Sequence, residues 1–288
     1  MRKLIIVLCV VAAAGLVVAQ SSETFEVASV KANKAGERGG MLRRQAGGRM
    51  TATNMPVRQL LMFAYQLAPY QVVGGPDWIN TDGFDINAKM EGNPQPIAPG
   101  TGIDPMQIAV QHLLADRFAL TSHREMREMD VFQLVMIKPG TPGPNLKPSV
   151  QDCAAQAAAA RRGGAPPAPP GPPGPPAPGT PFCGIFGGPG RLRFGGLQAS
   201  MLVQAFSAQS GRMVVDKTGL TGPWDFELTF APEQRGFGPG PGPDAPAADP
   251  NLPNFFTAIQ EQLGLKLEPA KGPVDVLVVD SVQRPVDD

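Results

Sequence analysis

One pattern occurs twice along this chain, and any fold it adopts has to accommodate both copies. Gly48-Arg49-Met50 leads into an apolar stretch at helical spacing (Val57, Leu60, Leu61, Phe63, Ala64), then Val72-Val73, then Phe84-Asp85-Ile86. Gly190-Arg191-Leu192 leads into Met201, Leu202, Ala205 and Phe206, then Val214-Val215, then Trp224-Asp225-Phe226. The offset is 142 residues at the Gly-Arg pair (48 to 190) and at the Val pair (72 to 214), and 140 at the Asp (85 to 225). Duplication without a recognisable reaction centre points to architecture before chemistry.

Local patterning spells out each copy. Residues 25–31 alternate apolar and polar, the period of a half-buried strand. A Gly-rich basic loop follows, and residues 49–53 read as a strand. Asn54 is a plausible N-cap before Pro56, in the first turn of a helix running to about Leu67. Strands are expected at 70–73 and 83–89, then a helix capped by Asp104 with Pro105 at its first position, then a hairpin of 118–127 with 131–138. The second half repeats the order: strand 191–194, helix 198–209, strands 212–215 and 224–230, helix 254–263, and a closing hairpin of 265–268 with 274–280. Within the second helices, Ala109-Val110-Gln111 matches Ala258-Ile259-Gln260. The expected fold is therefore α+β, two β-α-β-β-α-β-β repeats packed as a pseudo-symmetric pair. The strand at 25–31 is expected to cross to the other half's sheet.

Composition bounds where such a protein works. Arg2 and Lys3 precede an apolar run to Val18, and Val17-Val18-Ala19 suits signal peptidase, so residues 1–19 read as a signal peptide. The run is shorter than the roughly 20 residues of a membrane span. Cleavage, no span afterwards, and a periplasmic or secreted location are expected. Cleavage removes two basic residues of the chain's 25 and none of its 25 acidic ones. That near-neutral balance argues against a nucleic-acid partner. The mature chain keeps Cys153 and Cys183, read first as a disulfide in an oxidising compartment. The alternative, a nucleophilic thiol, has no local His motif to serve it. The chain's 34 glycines and 33 prolines concentrate in 154–181 and 235–253. Such tracts bury too little apolar surface to offset ordering entropy and are expected to be disordered insertions. The expected organisation is signal peptide 1–19, first repeat 20–150, insertion 151–184 fastened at its base by the cysteines, and second repeat 185–288 with a Pro/Gly-rich loop at 235–253.

Several segments resemble one known family: Phe25-Glu26-Val27-Ala28-Ser29-Val30-Lys31, Gly74-Gly75-Pro76-Asp77-Trp78, and Leu113-Leu114-Ala115-Asp116-Arg117-Phe118. To these add Val214-Val215-Asp216-Lys217-Thr218-Gly219-Leu220-Thr221-Gly222 and Gln260-Glu261-Gln262-Leu263-Gly264-Leu265-Lys266-Leu267-Glu268. They are similar to the "soil-associated" domain-of-unknown-function family expanded in Acidobacteria, over nearly all of the mature chain outside the two tracts. The resemblance brings no catalytic residues. Its members are exported, and similar domains are attached to membrane-bound sensor peptidases of the BlaR/MecR type, which implies a sensory or binding role. Each half also resembles, in element order alone, the short N-terminal domains of secretins and TonB-dependent receptors.

The chemistry-bearing residues have ordinary structural readings. His112 and His123 are the only histidines, and neither H-E-x-x-H nor C-x-x-C is present, so no metal site or cofactor is expected. No G-x-S-x-G elbow occurs. Asp85 and Asp225 fall at matching positions; brought together they would form an acid/base pair, whereas singly each would cap a turn or pair with Arg49 or Arg191. Trp78 and Trp224 are core anchors or, if exposed, stacking platforms. The segment 31–49 carries six basic residues against Glu37. Its Arg43 and Arg44, with the two tryptophans, are the candidate ligand contacts for an anionic envelope polymer. The expected function is a non-enzymatic envelope binding, interaction or sensory module whose partner is an envelope protein or cell-surface polymer. It would work in the groove between the halves, rimmed by the basic loop. The alternatives are an envelope hydrolase using Asp85 and Asp225, or a structural surface protein.

Overall fold

The computed structural model describes residues 23–34, 39–91, 94, 102–153, 155, 182–188, 190–232 and 251–286. The leader, most of both Pro/Gly tracts, and hence the expected disorder of those tracts, lie outside the described residues.

Apolar alternation builds the first sheet from β1 (Phe25–Ala32), β2 (Met41–Gln45), β3 (Arg49–Pro56) and β5 (Gly83–Met90), with β4 (Val72–Gly74) leaving it for another sheet. The order is β1-β5-β3-β2, every pairing antiparallel. On β5 the residues Phe84, Ile86, Ala88 and Met90 are buried, one face of a period-two strand. That face packs on α1 (Val57–Tyr65), α2 (Trp78–Thr81) and α3 (Pro105–Arg117), around Met50, Leu60, Leu61, Leu114 and Phe118. Asp104 caps α3 as expected, its carboxylate accepting from Met106 N–H at 2.9 Å. Asn54 does not cap α1. The N-cap position is Pro56, and Asn54 stands in a left-handed conformation (φ 49°) at an irregularity of β3.

The expected basic loop is in part a strand, because β2 turns at Gly47-Gly48 and pairs back on β3. Nor does β1 cross over: it pairs with β5 of its own half.

The later residues form β7 (Leu146–Pro148), β8 (Gly184–Gly188), β9 (Arg191–Gln198), α4 (Ala199–Ser210), β10 (Val214–Asp216), β11 (Pro223–Thr229) and α5 (Phe255–Ala258). A π-helical turn, Ile259–Leu263, continues α5. The sheet order is β7-β11-β9-β8. Phe194, Phe206, Phe226, Leu228, Phe255 and Ile259 centre its core.

Both expected hairpins are instead single long strands. β6 (Thr121–Met136) and β12 (Leu265–Ser281) pair antiparallel with each other along nearly their whole length, from Leu265 opposite Met136 to Val279 opposite Ser122. Glu128-Met129-Asp130 holds no turn-forming glycine or asparagine, and the loss of apolar alternation there reflects exposure rather than a bend. β4 joins β12 in parallel at Leu277–Val279, and β10 joins β6 in parallel at Phe132–Leu134, giving the order β10-β6-β12-β4. Two strands from each half make this middle sheet. Its ends feed both neighbouring cores: Leu277 and Val279 belong to the first, Phe132 and Leu134 to the second.

Candidate functional site

Where β6 and β12 cross between the two lobes, a groove of about 390 Å³ is lined by Tyr70, Glu128, Met129, Asp130, Gly211, Arg212, Lys271 and Val274. Both halves contribute. Asp130 and Lys271 are direct cross-strand neighbours, 2.7 Å apart. The hydrogen bond and charge of Lys271 hold the Asp130 carboxyl below its ordinary value, and the Arg212 charge adds to this.

Arg212 follows α4, which ends at Gly211 in a left-handed conformation (φ 70°), the usual glycine stop. Its guanidinium lies 5.2 Å from the centre of the Phe132 ring, a cation–π distance. Tyr70 comes from the other half. Arg58 donates to the carbonyls of Pro69 (2.8 Å) and Val72 (2.7 Å), and Gln71 donates to the carbonyl of Asp275 (2.9 Å), fixing the turn that carries it. Burial raises the Tyr70 phenol's pKa, partly offset by a hydrogen bond with Ser207. Ser207 is buried on α4, accepts from Val214 N–H at 2.9 Å and donates to the Val203 carbonyl at 2.8 Å. The groove thus sets two cations, two carboxylates and a phenol around an apolar floor of Met129 and Val274. It suits binding of an amphoteric ligand; among the described residues, no three His, Cys, Asp or Glu are grouped to hold a metal ion.

The residues singled out from the sequence stand elsewhere. Arg44 makes a two-pronged ion pair with Asp104, one arm at 2.9 Å, and lies 5.9 Å from the Phe63 ring centre, tying β2 to the start of α3. Arg43 is exposed, its Nε donating to Met41 Sδ at 2.9 Å. Trp78 is half-buried between Phe84 and the guanidinium of Arg284, 4.9 Å from the ring centre. Trp224 is half-buried too, its indole N–H donating to the Thr221 carbonyl. His112 is exposed on α3. Cys153 and Cys183 form a disulfide with Cα atoms 5.5 Å apart.

Asp85 and Asp225 stand in different sheets and share one task. Asp85 accepts from Asn54 N–H at 2.8 Å and from the Asn33 amide; Asp225 accepts from Gly196 N–H at 2.7 Å. Asn54 and Gly196 are both left-handed (φ 49° and 64°), each at a register shift of its ladder. A β-bulge turns an N–H out of the ladder, and the carboxylate supplies its acceptor. Asp225→Ala is expected to cost about 1–3 kcal/mol by orphaning that donor, measured by urea denaturation. Asp225→Asn, which keeps an acceptor, should recover most of the loss.

His123 lies exposed at the far end of the ladder, its Nδ1 2.9 Å from Asp280. The hydrogen bond to Asp280 is the main cause raising its pKa above the ordinary 6.5, with Glu125 adding to it. A raised folded-state pKa means the contribution is complete below the unfolded value and is lost as pH rises through the folded one. His123→Gln should therefore lower the melting temperature at acidic pH and leave it unchanged well above neutrality, in paired thermal melts.

Tyr70, Arg212, Asp130 and Lys271 escaped sequence reasoning. One signal was present: Tyr70 and Arg212 each stand two residues before a repeated Val pair, at the same 142-residue offset.

Among the described residues no helix is long and apolar enough to cross a membrane. No curated protein and no solved structure matches the chain. A family described as "protein of unknown function (DUF3738)" matches residues 58–282, which takes in the groove, the middle sheet and the β7-β11-β9-β8 sheet, and β5 of the first sheet. The chain belongs to the DUF3738 family.

Proposed function

We propose that this protein is an exported, non-enzymatic binding module built from two pseudo-symmetric copies of one unit, and that it takes its ligand in the groove between them. The observation that carries this reading is the groove's composition: each half supplies matched flanking residues, Tyr70 and Arg212, around the Asp130–Lys271 pair. The leader-like residues 1–19 and the Cys153–Cys183 disulfide support an oxidising compartment, periplasmic or extracellular. Resemblance to the soil-associated family, with relatives on sensor peptidases, supports a sensory use. Asp85 and Asp225 serve the scaffold in this reading, each holding a bulge.

Charges of both signs beside a phenol and apolar floor favour a short zwitterionic peptide or the peptide part of a cell-wall polymer. The test is calorimetric titration of the mature chain (residues 20–288) with short zwitterionic peptides and cell-wall glycopeptides. Binding is expected, weakened at least about tenfold, or 1.4 kcal/mol, by Arg212→Ala. Absence of binding across the panel, or binding indifferent to Arg212→Ala and Lys271→Ala, overturns the reading.

A further inference from the structure

The middle sheet has two long strands, each covered on its outer side for only part of its length. β10 covers β6 at Phe132–Leu134, and β4 covers β12 at Leu277–Val279. Among the described residues, no strand pairs with the outer side of β6 from Ser122 to Asp130, or with that of β12 from Leu265 to Pro273.

Backbone parity says what each open edge offers. The N–H of Phe132 donates outward to Met213, and the carbonyl of Leu134 accepts outward from Lys217. The β6–β12 register is unbroken from Ser122 to Met136. Even-numbered residues of β6 therefore point both peptide groups away from β12: Ser122, Arg124, Met126, Glu128 and Asp130. On β12 the outward set is odd-numbered, consistent with the Asp275 carbonyl that accepts from Gln71, and it includes Pro269 and Pro273. A proline has no N–H to offer, so the β12 edge is blocked at alternate outward positions. No proline interrupts the β6 edge.

Charged residues ordinarily deter edge pairing. On β6, however, their order is self-complementary. In an antiparallel two-fold pairing about Met126, Arg124 faces Glu128 of the second copy, and Glu125 faces Arg127 of the second copy. All four opposed pairs are unlike in charge, and like charges opposite one another would be destabilising. The parity fits as well, since the even-numbered residues that meet are those whose peptide groups point outward. At the centre, Met126 meets Met126, a side chain left 65% exposed in the single chain.

We infer that the β6 edge, Ser122–Asp130, is a homodimerisation surface at which a second copy of this chain pairs antiparallel about Met126, joining two middle sheets into one. This rests on backbone direction and charge order, and the edge ends at Glu128 and Asp130, which also line the groove; sedimentation without added ligand reads the dimer separately from groove binding. An edge-to-edge contact lies at the small end of specific interfaces, so a reversible dimer is expected.

The test is sedimentation equilibrium of the mature chain from low- to high-micromolar concentration. Two copies are expected at the upper end. Met126→Pro removes an outward N–H that the β6–β12 ladder does not use, so it should give a folded monomer, with fold checked by circular dichroism. Glu128→Arg should weaken the dimer at least tenfold by setting like charges opposite at Arg124, and adding Arg124→Glu should restore it. These charge variants decide the matter even if Met126→Pro fails to fold. A monomer at every concentration overturns the proposal, as does a dimer indifferent to both single substitutions. A monomer whose β6 amides gain exchange protection only on adding a peptide assigns the edge to a foreign strand and also overturns it.

Discussion

Produced separately, residues 20–150 and residues 185–288 are each expected to lack a cooperative fold, and to regain one when mixed. The middle sheet is the reason. β6 belongs to the first segment and β12 to the second, and each is the other's partner along nearly the whole strand. The short strands are crossed as well: β4 of the first segment pairs with β12, and β10 of the second pairs with β6. Cutting the chain removes Leu277 and Val279 from the first core, and Phe132, Leu134 and Leu146 from the second. Each segment would expose a long unpaired strand with an apolar face, which small units stabilise poorly. Circular dichroism and amide-proton NMR dispersion of each segment, then of the equimolar mixture, check this. A dispersed spectrum and sigmoidal melt from either segment alone would contradict the interlocked architecture.

Phe206→Ala is expected to remove about 3–5 kcal/mol of stability, the range for emptying a buried aromatic site. Phe206 is fully buried on α4 and packs against Phe226 (ring centres 6.1 Å) and Phe255 (5.5 Å). Phe255 in turn touches Phe230 and Phe256, and Phe226 stacks on Phe194. The second core is thus an aromatic cluster with Phe206 at its junction, and rigid rings close a cavity poorly. Phe206→Leu, which keeps most of the apolar volume, should cost less than half as much. Urea denaturation of the three proteins measures both. A loss for Phe206→Ala near that of an exposed substitution would show that the cluster repacks.

Helices and short strands were legible because their signals are local. Asp104-Pro105 announced α3 through a cap and a proline at its first position, and the alternation of Phe84, Ile86, Ala88 and Met90 announced β5. Asn54 misled for a local reason too. It is a good capping residue two positions before a proline, yet the bulge and Asp85 take its backbone for another purpose. Arg43 and Arg44 looked like a free basic loop, because nothing near them shows that β3 and Asp104 will hold them.

The groove was illegible at the level of single residues. Asp130 and Lys271 become neighbours only through a ladder between strands 141 residues apart, and Tyr70 and Arg212 line one groove only because β4 and β10 flank that ladder.

What the sequence by itself determined is the α+β composition, most element positions, the cysteine pair as a disulfide, and the matching Asp85 and Asp225. These follow from spacing, capping and periodicity, which act over a few residues, or from the redox chemistry of an even cysteine count. Only the tertiary structure decided that β6 and β12 run unbroken, which strands exchange between the halves, and which side chains meet at the seam. A strand's pattern shows which face is buried and leaves its partner open, because backbone hydrogen bonds carry no residue identity. The partner is chosen by register and by the packing of both cores at once, and those exist only when the whole chain is assembled.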